Sequence, residues 1–277
     1  MDRGGDLAWA AGDLRARGFL IGGTAGRTTL NGEGLQHEDG HSHLFSATIP
    51  NCVSYDPAFG GELAVIVQDG LRRMAAERED VFYYVTVMNE NYTHPALPDE
   101  AHEGVLRGMY LLREASGNGD RVQLMGSGTI LREVIAGADL LAQEFDVAAD
   151  VWSVTSFNEL RRDGMDAERW SRLHPGEEPR QSWVQQSLEG HEGPAVAATD
   201  YVRAFAEQIR PYLGGPYTVL GTDGYGRSDW RRVLREFFEV DRRYVALAAL
   251  RSVAPDKAAE AIAKYEIDTG AEAPWRR

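Results

Sequence analysis

The chain has 277 residues, 43% hydrophobic and 26% charged, enough to bury a sizeable core in two medium domains or one large one. Lys and Arg total 29 against 43 Asp and Glu, a formal net charge of −14, and so acidic a surface repels phosphate backbones, so no nucleic-acid partner is expected. The basic pairs Arg231-Arg232 and Arg242-Arg243 lie among acidic neighbours and read as solvated helix faces.

Cys52 is the only cysteine, which excludes a disulfide framework and a thiolate zinc cluster and reads as a buried structural thiol. The stretch from Met1 to Asp6 has no apolar segment behind a basic start, so no secretory leader is expected. Apolar runs such as Leu63 to Val67 fall far short of the roughly 20 residues of a membrane span. A soluble, cytoplasmic protein without membrane contact is the expectation.

In chain order, Gly18-Phe-Leu-Ile-Gly-Gly leads into a polar, glycine-rich stretch that reaches His43. Ile49 to Tyr55 is a short apolar run broken by Pro50. Pro57 suits the first turn of a helix through Met74, with Leu63, Val67, Leu71 and Met74 as its apolar stripe. Val81 to Met88 is β-branched, aromatic and almost continuously apolar, as a strand covered on both faces is. The polar stretch Glu114 to Asp120 reads as a loop or linker. Beyond it, strands are predicted at Val122–Met125, Asp150–Thr155, Ala195–Ala198 and Tyr217–Leu220. Helices are predicted from Ile130 to Phe145, along the stripe Val202 to Leu213, from Trp230 to Phe238 and from Arg242 to Leu250. This alternation predicts an α/β fold with a parallel or mostly parallel sheet.

The most unusual segment is Thr28 to His43, which holds three histidines, three carboxylates and three glycines in sixteen residues. Glycines let a backbone approach a ligand, while imidazoles and carboxylates exchange protons. His37-Glu-Asp-Gly-His41 matches the letters of the H-E-x-x-H zinc motif, which requires a helix. Asp39-Gly40 is a turn signal and no apolar stripe runs through the segment, so zinc is not expected. Gly126-Ser-Gly128 before a helix could hold an anion or only make a tight turn, and the turn is the simpler reading. Gly221 to Asp229 follows a strand and precedes a helix, with Ser228 or Asp229 suited to cap it; it either lines a site or makes a connection.

Together, Arg27 to His43, Ile49 to Pro57, Met88-Asn-Glu-Asn-Tyr92, Gly126-Ser-Gly128, Ser153 to Phe157, Val219 to Asp229 and Phe238-Glu-Val-Asp241 resemble the homodimeric, bacterial-type pyruvate dehydrogenase decarboxylating component of the transketolase superfamily. The resemblance runs in order from about Gly5 to about Asp268. It implies that residues 1–115 are the later part of a pyrimidine-binding domain and that residues 120–277 form a transketolase C-terminal-like domain. The diphosphate-binding domain, the earlier pyrimidine domain, the metal motif and the activating glutamate would lie elsewhere. Thiamine diphosphate and magnesium would then be held mainly by a partner chain in a hetero-oligomer, the chain here being either a split subunit or a fragment.

By the same resemblance Glu33 and His37 match the family's active-site glutamate and histidine. Asp39 and His43 align with the functional aspartate and histidine of the wider transketolase pattern, or else only tie the loop together by hydrogen bonds. Decarboxylation of pyruvate or another 2-oxo acid, with transfer of the two-carbon unit, is the implied chemistry. In place of the family's tyrosine-bearing stretch this chain has Ala58-Phe-Gly-Gly-Glu62, whose glycines cost a helix start roughly 1 kcal/mol each relative to Ala. That departure leaves open a sugar or other carbonyl acceptor in place of a lipoyl group. A catalytically silent interaction module is the alternative of a different class. His174 is expected to be structural or exposed.

Overall fold

Phe82-Tyr-Tyr-Val-Thr-Val87 carries the β-branched and aromatic residues that suit a pleated backbone covered on both sides, and it is the central strand of the first of two sheets. The computed structural model describes residues 4–23, 25–29, 34–116 and 119–277. The first sheet and its helices comprise α1 (Gly5–Asp13), β1 (Phe19–Gly23), α2 (Ser42–Thr48), β2 (Cys52–Tyr55), α3 (Gly60–Leu71), β3 (Phe82–Val87) and α4 (His102–Arg107). The strand order is β1-β3-β2, all parallel, with Phe19 opposite Tyr83 and Cys52 opposite Phe82. Alternate side chains go to opposite faces. Val53, Tyr55, Tyr83 and Val85 pack with Ile66 of α3 and Val105 of α4, while Cys52, Phe82 and Tyr84 pack with Ala8 of α1. β1 is an edge strand, and its Leu20 and Ile21 are exposed.

The second sheet has the order β4-β6-β5-β7-β8: β4 (Met109–Arg113), β5 (Asp120–Gly126), β6 (Val147–Val154), β7 (Ala195–Ala198) and β8 (Tyr217–Leu220). Only β4 runs antiparallel, against β6; the other pairings are parallel. Its helices are α5 (Leu131–Phe145), α6 (Phe157–Leu173), α7 (Trp183–Ser187), α8 (Ala204–Glu207), α9 (Arg231–Phe237), α10 (Arg242–Val253) and α11 (Pro255–Lys264). α5, α10 and α11 cover the face that carries Val122, Leu124 and Val151; α6, α7 and α8 cover the face that carries Met125, Trp152 and Val154. The α/β architecture with a mostly parallel sheet is thus the expected one. β4 lies upstream of the expected division at 115–120 yet pairs with β6 through Met109 opposite Val154, so sheet membership changes before Met109.

Several local expectations change. α3 begins at Gly60 and not at Pro57, because the buried Glu62 carboxylate reaches back to accept from the N–H groups of Ala58 at 2.6 Å and Phe59 at 2.9 Å. Its buried face is Glu62, Ile66, Asp69 and Gly70, a quarter-turn from the predicted stripe, and Leu71 is 54% exposed. The Asp69 carboxylate explains the shift, since it accepts from the hydroxyl of Tyr83 beneath it at 2.9 Å. The predicted helix from Val202 to Leu213 is only the single turn α8 and a 3-10 turn at Arg210–Tyr212, because Pro211 has no N–H to continue a ladder. α6 was not predicted at all: between its buried Phe157, Leu160, Gly164 and Ala167 the sequence is dense with charge. Ser156 caps it, accepting from Glu159 N–H at 3.0 Å. His174 ends that helix with its ring stacked on Trp170 at 4.4 Å.

The displaced face of α3 is testable by urea denaturation. Ile66→Ala, at a fully buried site, is expected to cost about 2–5 kcal/mol. Leu71→Ala should cost less than about 0.5 kcal/mol, since its side chain is mostly in water. Equal losses would return Leu71 to the core.

Candidate functional site

The carboxyl ends of parallel strands are where α/β sheets place their ligands, and here the ends of both sheets converge. Asp56, just after β2, donates its N–H to the carbonyl of Thr155 beyond β6 at 2.7 Å, and its own carbonyl accepts from Gly128 N–H beyond β5 at 3.1 Å. Its carboxylate is buried, with Oδ1 accepting from the Thr86 hydroxyl at 2.7 Å and Oδ2 without a hydrogen-bond partner among the described residues. Gly128, at φ +49°, presses on that carboxylate, and a Cβ there would collide with it. Burial pushes the Asp56 carboxyl up to about 7, against the Thr86 and Ser127 hydroxyls.

Asp200, after β7, is equally buried and accepts from Thr28 N–H at 3.1 Å; burial lifts it to about 7 as well. Gly26, at φ +89°, leaves the space that carboxylate fills. Arg27 lies against Gly40 and donates to the carbonyls of Thr222 at 2.5 Å and Gly224 after β8. Burial works against its charge, and Asp39, Asp223, Asp200 and Glu38 support it. Glu38 accepts from Arg227 N–H at 2.5 Å through Oε2, while Oε1 has no partner among the described residues; burial raises it to about 7.

The four residues singled out from the sequence fall in different surroundings. Glu33 lies outside the described residues. His37 ends a 3-10 turn, Leu35–His37, and is exposed, its ring without a hydrogen-bond or ion-pair partner among the described residues. Asp39 accepts from the N–H groups of His41 at 3.0 Å and Ser42 at 2.9 Å, and from the Ser42 hydroxyl, so it satisfies donors at the entry to α2. His43 is fully buried, stacked on Phe205 at 4.6 Å and edge-on to Tyr201 at 4.8 Å. Burial drives its imidazole down to about 4, so it is neutral in the fold. Its Nε2 lies 3.0 Å from Thr86 Oγ1. Because Thr86 gives its proton to Asp56, that oxygen accepts from His43 Nε2–H, and the network assigns this tautomer.

His37 and His41 do not share a helix: the first ends a 3-10 turn and the second is the residue before α2. Among the described residues no group of three or more His, Cys, Asp or Glu is placed to hold a metal ion. The Gly126-Ser-Gly128 turn faces the chain's own Asp56, and its serine hydroxyl pairs with that of Thr199 at 3.0 Å. α9 is preceded by Trp230, with no side-chain cap, in place of the expected Ser228 or Asp229. Ala58 to Gly60 line an open cavity of about 250 Å³ with Leu63, Tyr92 and His94, whose Nδ1 accepts from Gly60 N–H at 2.9 Å. Asp56, Thr86, Asp200, Arg27 and Glu38 were not picked out from the sequence. The one signal available was a carboxylate following a strand at once, as in Tyr55-Asp56 or one residue on at Thr199-Asp200.

Residues 1–95 match the family model described as pyruvate dehydrogenase E1 component middle domain, and residues 108–241 the transketolase-like C-terminal domain. The pyruvate dehydrogenase E1 component of Pseudomonas aeruginosa is 62% identical over 272 residues, which is 95% of this chain and 31% of that protein. That of Escherichia coli K12 is 58% identical over 95% of this chain and 30% of its own length. The chain therefore spans about a third of the relatives it matches. Transketolase from Campylobacter jejuni has the same fold at 17% identity, with a TM-score of 0.62 over 89% of this chain and 33% of that one. A split-gene transketolase, described as an inactive beta4 tetramer, aligns at 17% identity with a TM-score of 0.57 over 84% of this chain and 65% of its own.

The buried Asp56 has a signature in pH. A carboxyl raised from 3.8 to about 7 on folding favours the protonated form, so its contribution declines as pH rises from about 4 to about 7. The decline is at most about 1.4 kcal/mol per pH unit. His43 has the opposite sign: held neutral to about 4, it takes stability away as pH falls from 6.5 towards 4. Urea melts of wild type and Asp56→Asn share the histidine's effect and differ in the aspartate's. The variant should gain on wild type steadily between pH 4.5 and 7.5, and a pH-independent difference would show that Asp56 is ionised throughout.

Proposed function

We propose that this chain, which belongs to the pyruvate dehydrogenase E1 component family and corresponds to a C-terminal portion of its members, supplies one side of the active site of a thiamine-diphosphate-dependent enzyme. The enzyme decarboxylates pyruvate or a related 2-oxo acid and passes on the two-carbon unit. The observation that carries this reading is 62% identity over 95% of the chain with a protein of that name. The working location is the cytoplasm, and among the described residues no helix is long and apolar enough to cross a membrane.

The described strand ends do not fit the diphosphate of the cofactor. Asp39, Asp223, Asp200 and Glu38 lie around Arg27, one of whose nitrogens is already given to two carbonyls. A dianion would meet repulsion there. The reading therefore places thiamine diphosphate and magnesium mainly on a partner that carries the diphosphate-binding domain and the earlier pyrimidine domain, encoded upstream in the same frame or by a second gene. The open edge of β1, with Leu20 and Ile21 exposed, supports an incomplete first sheet.

What this chain contributes is then a proton-transfer group. His43 is enclosed among aromatic rings and Asp39 accepts from N–H groups at the start of α2, which supports the loop-tying role for these two. His37 is exposed in a turn just after Gly34, and an imidazole free to turn towards a ligand can donate to or accept from a substrate carbonyl oxygen. Glu33, four residues earlier, is proposed to act with it. Discrimination from a silent interaction module therefore falls on His37 and Glu33. The departure at Ala58 to Glu62, of which Ala58 to Gly60 line an open cavity, keeps a sugar or other carbonyl compound as a second reading of the acceptor in place of a lipoyl group.

Two measurements test the proposal. Expressed alone, the chain should self-associate and bind thiamine diphosphate weakly; co-expressed with the upstream domains it should form a defined heteromer. A dispersed monomer with a cooperative melt would argue against an incomplete sheet. In the assembled enzyme, carbon dioxide release from pyruvate with an artificial electron acceptor should fall about 10²–10⁴-fold in His37→Ala, with assembly and cofactor binding retained. His174→Ala should change little. An equally active His37→Ala would remove that residue from the chemistry, and an assembled enzyme that binds cofactor but releases no carbon dioxide from any 2-oxo acid would remove the pyruvate reading.

A further inference from the structure

Away from the strand ends, the corner between α9 and α10 concentrates charge in a way the proposed reaction does not use. Arg231, Arg232 and Arg235 of α9, Arg242 and Arg243 at the start of α10, and Arg132 of α5 line one open cavity of about 810 Å³. Glu90, Glu133, Glu236 and Asp241 line it too, which leaves six guanidinium groups against four carboxylates in a chain whose formal charge is −14. Lys257 and Lys264 are the only lysines, so the choice of arginine is uninformative; the clustering is what needs a cause.

Each carboxylate is paired with an arginine. Glu90 accepts from Arg132 at 2.6 Å and from Arg235. Glu133 accepts from Arg242 through Nε at 2.9 Å and through its backbone N–H at 3.1 Å. Asp241 caps α10 and holds Arg243 at 2.6 Å, and Glu236 lies 3.2 Å from the same guanidinium. These bonds hold the arginines in place yet occupy only part of the five N–H donors that each guanidinium carries. Arg132 is also set over the ring of Tyr92 at 4.4 Å. Arg232 is exposed and has no hydrogen-bond or ion-pair partner among the described residues. The cavity therefore keeps an excess of guanidinium donors over carboxylates, with Arg232 unpaired among the described residues, and its volume suits a small molecule.

We propose that this cavity binds a compact multivalent anion, a phosphorylated small molecule whose oxygens take up the spare guanidinium N–H groups. Forked N–H donors match phosphoryl oxygens in pairs, and the positive cavity in an acidic surface draws such an anion from solution. The site does not depend on the proposed reaction, since none of its residues has been given a part in it.

The test is calorimetric titration of the assembled enzyme, co-expressed with the upstream domains and saturated with thiamine diphosphate, with inorganic pyrophosphate at physiological ionic strength and with citrate as the carboxylate comparison. Pyrophosphate should bind saturably with one site per chain, and citrate should bind more weakly. Arg232→Gln and Arg132→Gln should each weaken pyrophosphate about tenfold, the loss of one charge-assisted contact. Arg251→Gln, on the distal turn of α10, should leave the affinity unchanged. Arg232 holds nothing else in place, so its variant keeps the test valid if Arg132→Gln unfolds. Absence of saturable binding, or equal weakening by Arg251→Gln, overturns the site; citrate binding as tightly as pyrophosphate overturns the phosphoryl preference.

Discussion

Everything at the centre of this molecule follows from a parallel sheet and a mostly parallel one meeting at the carboxyl ends of their parallel strands. Strand ends leave N–H and C=O groups that no ladder satisfies, and in a buried seam water cannot take them. Asp56 meets the need directly, giving its N–H to Thr155 and taking Gly128 N–H on its carbonyl. Placing that backbone there also places a carboxylate in the seam. The Thr86 hydroxyl must then satisfy it, and the same hydroxyl dictates how His43 is protonated. Glu62 performs the same service one layer away, joining Ala58 and Phe59 to the hydroxyls of Tyr110 at 2.9 Å and Ser153 at 2.5 Å. Burial raises both carboxyls, so the seam holds together best when they carry protons or keep every donor.

This arrangement changes the meaning of the histidine-rich loop. Proximity in sequence suggested one functional cluster, yet the chain folds its members into separate roles. Asp39 satisfies donors at the entry to a helix, His43 becomes part of an aromatic core with Phe205 and Tyr201, and His37 stays in solvent. The distinction rests on burial, which spacing along a chain does not encode.

The α/β class was legible because its signals are local: the continuous β-branched run of β3, the stripe of α5, and the regular return of strand and helix. Failures came where tertiary partners outvoted local pattern. Leu71 fits a helical stripe, but Asp69 found Tyr83 and turned the helix. α6 hid behind its charges, since a helix that needs only Phe157, Leu160 and two small residues for contact shows little apolar period. The site was legible as a loop and illegible as a seam. Thr86 and Asp200 lie far apart in the chain, and nothing local to either announces that they will share a buried space.

Cys52 gives this fold an internal clock. Its thiol is sealed between Ile49, Phe82 and Tyr84, and burial pushes it up to about 12, so the closed molecule offers almost no thiolate to a reagent. Alkylation must await an excursion that parts β2 from the helix above it. With a single thiol in the chain, the rate of modification reads that excursion without ambiguity, as amide exchange does for a backbone. Anything that stiffens β2 against its covering helix would slow the clock, and the slowing would measure in time how tightly the first sheet is held.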